Sequence, residues 1–173
     1  MNRSDKTKKI ILEMFEQRNY TNIETDISTR ILAIKPDGQP ICAFTKIIDK
    51  LNNEEIHSRI SELQEYKIEH GILIHEGTPT PAVKGVISNL PDLGINIELF
   101  HADDLQFNIT KHELVPTHVL ISSSEAKEFK SKYGSNIPSI LRTDAVSRFF
   151  DFHKGDIIRI IRKNGFISYR IVR

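Results

Sequence analysis

The sequence predicts an α+β chain. An N-terminal α/β unit with a mixed sheet and helices spans residues 1–104, and a smaller α+β unit spans 105–173 and ends in a β-hairpin. Three observations predict this. Helical and extended patterns alternate along the first hundred residues, the signature of helices laid on a sheet. The charge balance changes sign between the two parts: 12 Lys+Arg against 17 Asp+Glu in residues 1–104, then 12 against 6, or −5 and +6. The last eighteen residues, DIIRIIRKNGFISYRIVR, hold β-branched runs on both sides of Asn164-Gly165, a strong short-range hairpin signal.

Taken in order, Ser4 or Thr7 can cap a first helix in which Ile10, Ile11, Met14 and Phe15 recur at helical spacing, ending near Asn19. RILAIKPDGQPICAFTKI reads as two strands around a Pro36-Asp37-Gly38 turn. A second helix buries Ile56, Ile60 and Leu63 and turns Glu54, Glu55, Arg59 and Glu62 outward. GILIHE is a short buried strand, Thr80 and Pro81 supply an N-cap and an N1 proline for the helix AVKGVISNL, and INIELF is another strand. The hinge HADDL is too short to be a flexible linker. In the second unit Val119 to Ile121 end a strand, and Ser122-x-x-Glu125 is a capping-box signature for a helix that stops at Gly134. Pro138 keeps IPSIL extended, and Asp144 caps the short helix AVSRFF.

A two-residue turn fixes the register of the closing hairpin. It pairs Lys163 with Phe166, Ile160 with Tyr169, Arg159 with Arg170 and Ile158 with Ile171. Ile158, Ile160, Ile167, Tyr169 and Ile171 then form the buried face, and two arginines stand opposite each other on the other. Like charges in directly opposed positions are destabilising. The pairing therefore asks for an anion: an acid elsewhere in the chain, an acidic partner, or a phosphate.

Composition narrows the functional classes. No run approaches the roughly 20 apolar residues of a membrane span, and MNRSDKTKK lacks an apolar signal segment, so a soluble, non-secreted protein without a membrane partner is expected. Cys42 is the single cysteine, which leaves no internal disulfide and speaks against a structural zinc site. No P-loop, nucleophile elbow or dinucleotide fingerprint is present. HELVPTH has histidines near a glutamate, but His112 and His118 are six apart with Pro116 between them, whereas a zinc-protease helix needs i, i+4. A Mg²⁺ nuclease would need two carboxylates and a lysine; Asp37 lies in a turn, and Lys46 has no acid two residues before it. Asn108-Ile109-Thr110 matches a glycosylation sequon without a secretory context. Neither a catalytic set nor a cofactor or metal is expected, and weight moves toward a binding or assembly protein. The helix start at Thr80, with Lys84 nearby, is the one place suited to a phosphate, against the plainer reading of an ordinary capped helix.

The series ITKHELVPTHVLIS, SSEAKEF, KYG, IPSILRTDAV, HKGDIIRIIRK and SYRIV resembles, in this order, the fifth common subunit of eukaryotic nuclear RNA polymerases and its archaeal counterpart. The likeness spans roughly residues 105–173, with one short loop contraction at Asn164-Gly165. In the N-terminal unit GILIHEGTPTPAVKGVI and KKIILEMFEQRNY resemble the jaw domain that the eukaryotic family adds; elsewhere that unit departs from the family. The shorter jaw is similar to what a large DNA virus encoding its own polymerase would carry. Two departures stand in the second unit: Asp144 is followed by Ala145 where the family has proline, and Asp151 stands where the family commonly has glycine.

The resemblance implies a non-catalytic subunit of a multisubunit DNA-directed RNA polymerase, acting in transcription without an active site or cofactor of its own. The C-terminal unit would be the assembly domain, docking on the largest subunit through His112, Leu114, Pro116, His118, Asp144, Gly155, Asp156, Arg159, Tyr169 and Arg170. The N-terminal jaw would border downstream duplex DNA at Thr80, Pro81 and Lys84. Localisation would be the nucleus, or a cytoplasmic viral factory and the virion. The acidic jaw argues against tight DNA binding on its own. Alternative readings are a free-standing nucleic-acid-binding regulator, a metal-dependent nuclease using Asp37 and Lys46, and an adaptor to a host polymerase.

Overall fold

The first helix, α1 (Arg3–Gln17), begins earlier than its spacing predicted. Asn2 caps it: Asn2 Oδ1 accepts from the Asp5 amide at 2.8 Å, and Asp5 answers by accepting from the Asn2 amide at 3.3 Å. Asn2-x-x-Asp5 thus supplies the reciprocal cap that Ser4 or Thr7 was expected to begin, and Thr7 is buried, donating to the Arg3 carbonyl. The computed structural model describes residues 2–25, 29–134 and 136–173; Met1, at the head of MNRSDKTKK, lies outside them. The chain divides into two compact units, Met1–Phe107 and Asn108–Arg173.

Unit 1 carries a five-stranded sheet in the order β1 (Thr21–Thr25), β2 (Arg30–Ile34), β3 (Pro40–Ile48), β4 (His70–His75) and β5 (Asn96–His101). The first three strands run antiparallel, and β3, β4 and β5 run parallel. Parallel neighbours need crossovers, which α2 (Asn53–Glu65) and α3 (Pro81–Asn89) provide. Right-handed crossovers in a row put both helices on one face. There Ile56, Ile60, Leu63 and Val83 meet Cys42, Phe44, Leu73 and Ile97. Alternate residues of β3, Ile41 and Ala43, are equally buried but point the other way, to the side where α1 packs on β3. Being covered on both faces, β4 is buried along its whole length.

Unit 2 builds a four-stranded sheet in the order β6 (Thr117–Leu120), β8 (Ile157–Ile161), β9 (Ile167–Val172) and β7 (Ser139–Ile140). Helix α4 (Ser123–Tyr133) is capped by Ser122 and α5 (Ala145–Phe150) by Asp144, as expected. The two helices cover opposite faces. Ile121, Ile137, Ile157 and Tyr169 pack with Ala126 and Phe129 of α4, while Ile158, Ile160 and Val172 pack with Phe150 and Phe152 at α5.

The hairpin register differs from the expected one by a single residue. Ile158 stands opposite Arg170, Arg159 opposite Tyr169, and Ile160 opposite Ser168. The reason is the turn. Gly165 donates to the Arg162 carbonyl and Arg162 donates to the Phe166 carbonyl, closing a three-residue loop with Gly165 at φ 80. That is a turn ending in a glycine bulge, not a two-residue turn. A slip of one residue exchanges the faces. Arg159 and Arg170 therefore lie on opposite sides of the sheet, and the single buried face of Ile158, Ile160, Ile167, Tyr169 and Ile171 is corrected: Ile167, Tyr169 and Ile171 face α4, Ile158 and Ile160 face α5.

Candidate functional site

Each arginine has its own partner. Arg159 Nη1 donates to Glu125 of α4 at 3.0 Å, so the acid that the sequence asked for is within the chain. Glu125 thus serves a cross-element ion pair in addition to its backbone amide, which donates to Ser122 Oγ. Arg170 Nη1 donates to the Ser139 carbonyl at 3.0 Å.

On the α5 side of the sheet lies an open cleft of about 560 Å³, lined by Pro116, His118, Ser139, Ile140, Leu141, Thr143, Asp144, Ile160, Arg162 and Arg170. It gathers four of the ten expected docking residues from three separate segments. The edge strand β6 brings His118, the cap of α5 brings Asp144, and β9 brings Arg170. The His118 Nδ1–H donates to the Pro116 carbonyl at 2.8 Å, leaving Nε2 as an acceptor toward the cleft's polar groups. Burial of its ring depresses the His118 pKa, with Arg170 adding to the effect and the Pro116 bond and Asp144 opposing it. Asp144 Oδ1 accepts from the Val146 amide at 2.9 Å. The cleft thus joins an apolar wall, Ile140, Leu141 and Ile160, to two guanidinium groups and one carboxylate. It can hold a peptide with an apolar side chain and an acidic group.

The remaining docking residues are not brought to this cleft. His112 and Leu114 sit in the exposed turn before β6, where the Leu114 amide donates to His112 Nδ1 at 3.2 Å and the Leu114 side chain is 85% exposed. Gly155 and Asp156 line a second cleft, beside α4. Arg159 and Tyr169 belong to the α4 face, where Tyr169 stacks near Phe129 at 4.3 Å between ring centres. Sequence reasoning missed Arg162 as a cleft residue. Its signal was present, since it shares the parity of Ile158 and Ile160, but the assumed two-residue turn hid it.

In unit 1 Thr80, Pro81 and Lys84 do come together at the start of α3. Thr80 Oγ1 accepts from the Val83 amide, and all three residues are exposed. This start lies just past the carboxyl end of β4, the side of a parallel sheet where ligands commonly bind. Two histidines fix the intervening loop: the His75 Nδ1–H donates to the Gly77 carbonyl and the His101 Nε2–H to the Glu76 carbonyl, with the rings edge to face at 5.5 Å. Asp37, the nuclease candidate, is used in its turn. It accepts from the Gln39 amide at 2.9 Å and pairs with Lys35 at 3.3 Å.

Toward the amino end of β4, away from this surface, is a buried ion pair. Arg18, just past α1, forks onto Glu98 of β5 at 2.9 and 2.8 Å, and His70 Nε2 meets the same carboxylate at 2.8 Å. Burial alone would raise the Glu98 pKa, but the Arg18 charge and hydrogen bonds, with His70, bring it from 4.5 down to about 2.

Residues 107–172 match the family model for the C-terminal domain of RNA polymerase Rpb5. A protein of Invertebrate iridescent virus 6, provisionally named as DNA-directed RNA polymerase subunit 454R, is 32% identical over 185 residues, covering 97% of this chain and 98% of its own. The subunit RPABC1 of RNA polymerases I, II and III from Caenorhabditis briggsae is 32% identical over 130 residues, 71% of this chain and 61% of the worm protein. That of Dictyostelium discoideum is 24% identical over 192 residues and is covered almost end to end, at 99% and 98%. With the family's C-terminal domain matched over unit 2 and polymerase subunits aligned along nearly the whole chain, the chain belongs to the Rpb5 family of DNA-directed RNA polymerase subunits.

Proposed function

We propose that this chain is the Rpb5-type subunit of a virus-encoded polymerase, that unit 2 docks on the largest subunit through the α5-side cleft, and that unit 1 is a jaw beside downstream duplex DNA. The observation that carries the docking reading is the convergence of Pro116, His118, Asp144 and Arg170 on one cleft. Arg162 and Arg170 would take acidic groups of the largest subunit, and Leu141, 61% exposed, would be covered on docking. Leu114 would add a second apolar contact at the rim. Arg159 and Tyr169 act differently, by holding α4 on the sheet, and Gly155 and Asp156 shape the neighbouring loop.

For the jaw the support is the exposed helix start at Thr80 with Lys84 one turn on. A unit with a balance of −5 does not gain affinity from wholesale phosphate neutralisation, so contact with DNA would be local and dependent on the polymerase holding the duplex. Transcription would take place in the nucleus or in a cytoplasmic viral factory, with the chain packaged in the virion in the latter case.

The test is affinity purification of the tagged chain from its native source, with mass spectrometry of stoichiometric companions. Recovery of the two largest polymerase subunits is expected, and Arg170→Glu combined with Arg162→Glu should release them. Arg159→Glu should act through stability instead, by placing two acids together at Glu125. A chain recovered alone, or charge reversals at Arg162 and Arg170 that leave the complex intact, would contradict the docking site.

A further inference from the structure

Ser123, Ala126, Lys127 and Lys130 follow the i, i+3, i+4, i+7 spacing of one helix face, and that face of α4 lines the second cleft of unit 2. The other wall is Leu120, Ile121, Gly155, Asp156 and Ile157, and the space between is about 350 Å³. Its floor is apolar: Ile121 and Ile157 are buried, and Leu120 is left 50% exposed.

The charges on this cleft are mostly positive, with Lys127 and Lys130 on one wall and Asp156 on the other. Lys127, Lys130 and the adjoining Lys154 are exposed, and among the described residues none of them meets an acid. Two of the acids nearby are engaged. Asp156 Oδ2 accepts from the His153 amide at 2.7 Å, and Glu125 is turned to the Arg159 side of α4. The cleft therefore presents an apolar trough with unpaired ammonium groups along one rim and the single carboxylate of Asp156 across it, on a unit whose own balance is +6.

We infer that this cleft is a docking site for an acidic–hydrophobic peptide segment of a second protein. A branched aliphatic side chain enters the trough between Leu120 and Ala126, and carboxylates about one helical turn apart meet Lys127 and Lys130. Alternating acidic and apolar residues are the composition of many disordered regulatory segments. Nucleic acid fits less well, because the trough offers aliphatic groups where single strands want aromatic platforms. Ile157 faces α4 while Leu120 stands opposite Ile158, so this cleft wraps the free edge of the sheet at β6, and it shares no lining residue with the cleft of Arg170.

The test is fluorescence anisotropy of the full chain with a fluorescein-labelled peptide of about twelve residues, rich in Glu, with two Leu three positions apart. Saturable binding in roughly the micromolar range is expected, in line with a small charge-assisted site. Lys127→Glu with Lys130→Glu should weaken it about tenfold or more and create affinity for the peptide with Lys in place of Glu. Leu120→Ser should weaken it several-fold, and Arg162→Glu, at a residue that does not line this cleft, should change it less than about twofold. Absence of saturation, binding that survives the lysine reversals, equal binding of a peptide with Ser in place of Leu, or preferential displacement by single-stranded DNA would each overturn the inference. Both lysines are exposed, so the reversed variant is expected to keep its circular dichroism spectrum, and gain of the Lys peptide reads the site independently of any loss.

Discussion

Glu98→Ala is expected to be among the most damaging single changes in unit 1. The side chains of Arg18 and Glu98 are only 2% and 12% exposed, and their fork joins the end of α1 to the edge strand β5. Removing the carboxylate strands a guanidinium away from water, which costs about 3–5 kcal/mol. The acidity of Glu98 gives a second route to the magnitude. A carboxyl held at about 2 against 4.5 in the unfolded chain corresponds to about 3 kcal/mol of stability at neutral pH. Its sign is fixed by the direction of the shift: the contribution is complete above the unfolded value and is lost as pH falls toward 2. Urea unfolding followed by circular dichroism at pH 7 and pH 3 measures both. Wild type should lose stability between these values, and Glu98→Ala should start low and lack that part of the slope. Arg18→Met with Glu98→Leu should recover much of the loss, since an apolar pair leaves no buried charge alone. A Glu98→Ala variant within about 1 kcal/mol of wild type at pH 7 would refute the reasoning.

Three other outcomes follow from packing and titration. Gly71→Ala should destabilise by about 1–3 kcal/mol in thermal or urea unfolding, because a Cβ there would stand 2.7 Å from Leu63 Cδ1 and 3.1 Å from Ile97 Cδ1. Cys42, whose burial drives its thiol pKa up to about 12, should react with a thiol reagent only as fast as unit 1 opens; prompt labelling of the native chain would show the cysteine to be accessible. In an NMR titration His118 should lose its proton below the ordinary 6.5, and Asp144→Asn should move the transition lower still, since Asp144 favours the charged ring; a shift upward in that variant would remove Asp144 from the cleft's electrostatics.

The sequence was legible wherever one periodicity ruled. Ile56, Ile60 and Leu63 announced α2, and Thr80-Pro81 announced α3, because cap chemistry and an apolar stripe are local facts. β1 was not legible: TNIET has one apolar residue, lies at the sheet edge and bends at Asn22, whose φ is 49. Its strand identity comes from pairing with β2, a partner that no local pattern names. The hairpin failed for a different reason. Both faces of the sheet are covered, so apolar residues occupy both parities of β8, and IIRII reads equally well in either register. The α5-side cleft was half legible in consequence. Pro116 and Asp144 reach it from a loop and a helix cap, whose places do not depend on the hairpin register; Arg162 depended on it.

The bulge at Gly165 also carries a rule about descent. Re-pairing the same residues around a two-residue turn would turn one strand over against the other and bring Arg159 opposite Arg170. Length changes compatible with the fold must therefore be taken up inside the turn, between the paired Arg162 and Phe166, so that the ladder keeps its register. Related chains should therefore vary in the number of residues between the paired Arg162 and Phe166 while keeping the alternation of both strands.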